Sequence, residues 1–144
     1  MISEALDEIK KIAAKAANEL RKRAPEMTGT EIIAEEEYIP RWNGEKDYSS
    51  LSAGTPVEYD GQIYLLIQPH NAKNYPYAPN ELLALWRVAH TKDPKKAKPF
   101  VKPTGTSDMY LKDECAFWED GKTYKALRDT VYSPKEHSAD WEEI

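Results

Sequence analysis

The chain has 144 residues, enough for one medium domain or two very small ones, with 40% hydrophobic residues and a net charge of −5. Nine Tyr and four Trp stand against two Phe, together with ten Pro and six Gly. That composition suits a loop-rich β domain with aromatics at its surface and suits a helical bundle poorly. The charge argues against a general nucleic-acid binder, and no apolar run approaches the length of a membrane span. The acidic N-terminus lacks the basic start of a signal peptide, and a lone Cys115 excludes a disulfide framework or a multi-cysteine metal knuckle.

Residues 1–24 are predicted to form a helix for oligomerisation or anchoring. Ser3 is the expected N-cap, Glu4 and Asp7 lie in the first turn, Lys22 and Arg23 in the last, and Pro25 follows as a stop. Ile2, Leu6, Ile9, Ala13, Ala16 and Leu20 are spaced 4, 3, 4, 3, 4, an a/d heptad stripe. Such a helix is marginal alone in water and must bury its stripe. Two readings compete: it lies on its own domain, or it joins copies in a short coiled coil. The domain that follows offers little spare apolar surface in its sequence, which favours a homo-oligomer such as a trimer. The segment carries six Lys/Arg and four Asp/Glu, net +2, while the remainder is −7.

Residues 25–38 read as a connector. Met27-Thr28-Gly29-Thr30 is expected to be flexible, and Glu35-Glu36-Glu37 to be a solvated acidic face. Residues 39–91 and 104–144 are predicted as two β modules, because they carry an internal repeat. Gly54-Thr-Pro-Val-Glu-Tyr59-Asp60-Gly61-Gln-Ile-Tyr64 aligns with Asp113-Glu-Cys-Ala-Phe-Trp118-Glu-Asp120-Gly121-Lys-Thr-Tyr124. Each reads as strand, Asp-Gly turn, strand. The second copy has one extra residue before its turn, the mark of a bulge. Each hairpin follows a Tyr (Tyr48, Tyr110), precedes a Pro-containing loop, and closes on a Trp (Trp86, Trp141). Residues 92–103, with three Pro and five Lys, are expected to be an extended linker. The predicted fold is mainly β with an N-terminal α-helix: two tandem small antiparallel modules after a heptad-patterned helix. Twelve of the thirteen Tyr and Trp fall in the two modules, leaving only Tyr38 outside.

Trp42, Tyr48, Gly54, Val57-Glu-Tyr59-Asp60-Gly61-Gln-Ile63-Tyr64, Gln68-Pro69-His70, Pro79 and Trp86 follow one another in an order that resembles a chitin-binding type-3 module. This is the carbohydrate-binding module family 5/12, appended to bacterial chitinases and common in small phage tail and prophage proteins. The resemblance covers residues 39–90. Residues 99–144 match more weakly, through Tyr110, Asp120-Gly121, Tyr124, Pro134 and Trp141, without an opening Trp. The family usually has Asp after the Gly that precedes its first strand, where this chain has Gly54-Thr55-Pro56. Residues 27–42 and 90–115 also resemble small proteins of phages of gut Firmicutes. The resemblance implies a virion protein, assembled in the host cytoplasm, that contacts other virion proteins and a host-surface glycan of the N-acetylglucosamine type.

Sugar rings stack their C–H faces on aromatic rings held near polar groups. The candidates are Trp42, Tyr75, Tyr77 and Trp86 in the first module, and Trp118, Tyr132 and Trp141 in the second. Trp86 follows Leu82, Leu83 and Leu85, which favours a core position, as do the return strands for Tyr64 and Tyr124. Tyr75 and Tyr77 flank a Pro in a polar loop and are expected at the surface.

No catalytic, cofactor or metal site is expected. His70, His90 and His137 lack metal-ligand spacing, and there is neither a carboxylate pair on a glycosidase framework nor a glycine-rich phosphate loop. Cys115 reads as a small buried residue. The alternative to a glycan-contacting protein is a purely structural fibre, decoration or tail-assembly protein. In that reading the aromatics form core or interface.

Overall fold

A computed structural model of the chain describes residues 2–144; the side chain of Ile2, the first residue of the expected stripe, lies outside what is described. Helix α1 spans Ile2–Arg23 and a short α2 spans Gly29–Ala34. Seven strands follow in two sheets, so the fold is mainly β with an N-terminal helix. The first sheet joins β1 (Pro56–Tyr59), β2 (Gln62–Leu66) and β3 (Trp86–Val88), all antiparallel. The second joins β4 (Lys98–Pro99), β5 (Cys115–Phe117), β6 (Thr123–Ala126) and β7 (Trp141–Glu143), in which only β4 runs parallel to its neighbour.

The repeat is reproduced bond by bond. Gly54 N–H donates to Leu66 O and Leu66 N–H to Thr55 O; Asp113 N–H donates to Ala126 O and Ala126 N–H to Glu114 O. Gly54 and Asp113 both take positive φ there, +94° and +76°. The first hairpin turns through Asp60 and Gly61, both at positive φ, as a two-residue type I′ turn requires. The second uses three residues, Glu119 to Gly121. Gly121 alone is at positive φ and its N–H returns to Trp118 O, so the extra residue is absorbed at the turn.

The second module also has an opening aromatic, which the sequence reading did not assign. Trp42 N–H donates to Glu58 O and Phe100 N–H to Phe117 O, at equivalent places, so Phe100 stands where the first module has Trp42. Residues 92–103 are therefore not a linker. Pro94–Lys96 form a 3-10 turn, β4 pairs with β5, and Phe100 packs against the core of Tyr110, Ala116, Ala126 and Trp141.

The connector is corrected in the same way. Thr28 and Glu31 form a reciprocal capping box that starts α2, and Ile32 and Ile33 are buried. Gly29 is required by proximity: a Cβ there would lie 2.2 Å from His90 O. The acidic run is partly engaged, with Glu35 bonded twice to Arg23 and Glu36 to Lys98.

Strand β2 is buried on both faces. Tyr64 and Leu66 face Tyr48, Val57 and Trp86. Ile63 and Leu65 face Ile32, Ile33, Ile39, Ala89 and two α1-side residues, Leu20 and Ala24. The first module thus does offer an apolar seat for the helix. Leu20, expected in the oligomer seam, is 1% exposed within its own fold, and Ala16 is half-buried. Residues 3–15 are exposed, Leu6, Ile9 and Ile12 among them. No described helix is long and apolar enough to cross a membrane.

Candidate functional site

Each module is organised around a Tyr–Trp pair. The Tyr48 ring meets Trp86 edge-on at 5.2 Å and Tyr110 meets Trp141 at 5.3 Å, the geometry that the ring quadrupole favours. The tyrosine hydroxyls accept from Asn43 N–H and Val101 N–H respectively, which ties each opening segment to the core. Burial raises the pKa of both phenols. Trp86 is 0% exposed and Trp141 is buried, so neither can stack on a ligand, contrary to their place among the binding candidates. Trp42 and Trp118 are half-buried, each edge-on to a neighbour: Trp42 to Tyr59 at 5.8 Å and Trp118 to Phe100 at 5.4 Å.

The remaining candidates are at the surface. Tyr77 is 54% exposed and Tyr132 is 47% exposed. They are equivalent: each lies two residues before a buried proline, Pro79 or Pro134, which lies seven before the core Trp. Tyr75 is also exposed, and only the first, longer loop has it.

Both loops are held from below. In the first, Asn71 caps the 3-10 turn Ala72–Asn74, and Tyr77 N–H donates to Tyr75 O at 2.7 Å. Tyr75 stands edge-on to His70 at 5.4 Å, and His70 stands edge-on to Trp86 at 5.5 Å. His70 Nδ1 lies 2.8 Å from Gln68 O, which fixes that nitrogen as the donor. His70 is thus a packed loop histidine that carries Tyr75 on the core Trp.

In the second loop, Trp141 Nε1 donates to Tyr132 O at 2.9 Å. Ser133 and Glu136 exchange hydrogen bonds, and Lys102 binds both Glu136 oxygens at 3.0 Å. Lys102, foremost, holds the Glu136 carboxyl below its ordinary pKa, with Ser133 N–H next. The Lys102 ammonium also lies 5.1 Å from the Tyr132 ring centre. Beneath the loop, Asp140 accepts from Thr130 at 2.7 Å and lies 2.9 Å from His137 Nδ1. Burial pulls its pKa upward, but these hydrogen bonds and the nearby His137 and Arg128 charges leave it below the ordinary aspartate value.

These surfaces are displays, with rings standing out from well-bonded loops. Cys115 is buried, and burial pushes its thiol up, away from the thiolate form a nucleophile needs. Sequence reasoning expected Tyr75 and Tyr77 at the surface from their polar, proline-containing loop, and they are exposed; Tyr132, named as a candidate without that argument, is exposed as well. The same reasoning missed Phe100, whose signal was its place before Tyr110 in the repeat. No protein-family model matches the chain and no curated protein matches it either, so the chemistry of these loops is argued from their own residues.

Proposed function

We propose that this is a non-enzymatic, phage-virion-type protein whose two β modules present aromatic loops to a host-surface glycan of the N-acetylglucosamine type. One observation carries the reading: Tyr77 and Tyr132 occupy equivalent, exposed positions on two loops anchored to buried tryptophans. A duplicated ring held rigidly outward is what stacking on a sugar face requires. The order of motifs resembling the chitin-binding type-3 family supports the same reading. The projecting part of α1 joins copies of the chain through Leu6, Ile9, Ala13 and the flanking Ile12, in a homo-oligomer such as a trimer. Linking weak sites in this way raises avidity by about 10²–10⁴-fold.

Titration with N-acetylglucosamine oligomers, followed by tyrosine and tryptophan fluorescence and by calorimetry, tests the reading. Stacking worth ~1–3 kcal/mol per ring means that Tyr77→Ala and Tyr132→Ala each weaken binding by about tenfold. An absence of binding by the wild-type chain to these oligomers and to host cell wall overturns it.

A purely structural role in the particle is the second reading. The observation that favours it is that no tryptophan is exposed: two are buried and two half-buried. Under this reading the exposed Tyr75, Tyr77 and Tyr132 contact another virion protein, and the same titrations remain flat.

A further inference from the structure

The repeat allows the two modules to be compared position by position on their outer sheet faces. In the second module, Lys125 and Glu142 are cross-strand partners and form an ion pair at 3.9 Å. The equivalent partners in the first module are Leu65 and Arg87. Arg87 is exposed, and among the described residues its guanidinium makes no hydrogen bond or ion pair. The second module neutralises this site internally, whereas the first leaves a cation unspent beside an apolar residue.

The surroundings of Arg87 form a groove. Pro25 and Met27–Thr30, between α1 and the start of α2, line it together with residues of the loop at 104–109. Two clefts of about 420 Å3 and 440 Å3 result, both bounded by Leu65, Arg87, Ser107 and Asp108. Each volume lies in the range of small-molecule sites, and together they give room for more than one sugar ring. Lys92 lines the first cleft with its ammonium likewise unpaired among the described residues.

The carboxylates that border the groove are engaged elsewhere. Asp108 accepts from Thr104 N–H, Thr104 Oγ1 and Gly105 N–H. Glu114 accepts from Leu111 N–H and lies 3.2 Å from His90 Nδ1.

We propose that this groove binds an acidic glycan strand, with a carboxylate or phosphate of the strand held by Arg87. The inference rests on the glycan reading above and names the class of glycan. A guanidinium offers a planar fork to either anion, and its selectivity comes from that geometry. The exposed Ser107 supplies a hydroxyl at the wall. The chain's net charge of −5 supplies no long-range attraction for such a ligand, so recognition depends on direct contact with Arg87 and Lys92.

The test uses the full chain and three probes of matched length: a neutral N-acetylglucosamine oligomer, a uronate oligomer and a glycerol-phosphate oligomer. Calorimetry and amide chemical shifts are recorded for the wild type, Arg87→Gln, Arg87→Lys and Tyr77→Ala. At least one acidic probe is expected to bind about tenfold more tightly than the neutral one, the scale of one charge-assisted contact. Arg87→Gln abolishes that preference without weakening neutral binding, and Arg87→Lys retains part of it. A preference for only the uronate or only the phosphate probe supports the proposal and identifies the anion. Equal binding of all three probes, or a preference that survives Arg87→Gln, overturns this inference and leaves the glycan reading standing. If no probe binds, both fall.

Discussion

Trp86 and Tyr77 are nine residues apart and have opposite roles, which substitutions separate. Removing the buried Trp86 or Trp141 ring leaves a void that the surrounding tyrosines cannot fill. Each Trp→Ala change is expected to cost ~3–5 kcal/mol in chemical denaturation. Tyr77→Ala and Tyr132→Ala, at exposed positions, change stability by no more than ~0.5 kcal/mol, so an effect on binding is attributable to the ring itself. Asp140 gives a pH signature. Its folded pKa lies below the ordinary 3.8, so its contribution is present above that value and is lost as pH falls through the lower folded value. Asp140→Asn should therefore lower stability at neutral pH and flatten the decline seen on acidification below about pH 4. Urea midpoints measured across that range check both.

At the scale of elements, α1 has two ends in different surroundings. Its last turns carry Leu20 into the core with Ala24, Ile33 and Leu65. Its first 14 residues extend about 20 Å at the rise of an α-helix, with Leu6 and Ile9 in solvent. Leu6→Glu combined with Ile9→Glu is expected to yield a monomer by sedimentation with an unchanged melting temperature. Leu20→Ala is expected to destabilise the fold by ~2–5 kcal/mol. The heptad spacing was legible in the sequence, but the point at which the stripe enters the core was not. A hint was available: β2 reads Gln-Ile-Tyr-Leu-Leu and β6 reads Thr-Tyr-Lys-Ala. The first is apolar on both faces and the second on one, as expected if only the first sheet is covered on its outer side. The Thr28-x-x-Glu31 box was a similar signal, and it makes an ordered helix of a segment whose Gly and Thr suggest flexibility.

Across the whole molecule, the modules are fused rather than strung. His90 stacks on Tyr110 at 3.8 Å, Cys115 N–H donates to Thr91 O at 2.7 Å, and Gln62 Nε2 donates to Pro99 O at 2.9 Å. Gly29 closes against the backbone of His90 at the same junction. Calorimetric melting should therefore show one cooperative transition, with the calorimetric and van't Hoff enthalpies equal. Gly29→Ala, which forces α2 from the junction, should lower its midpoint by several degrees, on the scale of about 1 kcal/mol for a domain of this size.

Local chemistry determined much of this protein. The Asp-Gly turns, the hairpins they close, the duplication and the exposure of Tyr75, Tyr77 and Tyr132 all depend on residues close together in sequence. Only the tertiary structure decided that Trp141 joins Trp86 in the core, that Phe100 replaces an opening Trp, that residues 92–103 are part of a sheet, and that Arg87 faces a groove. Each of these depends on which distant segment covers a given face, and burial against distant segments has no local periodicity from which to read it.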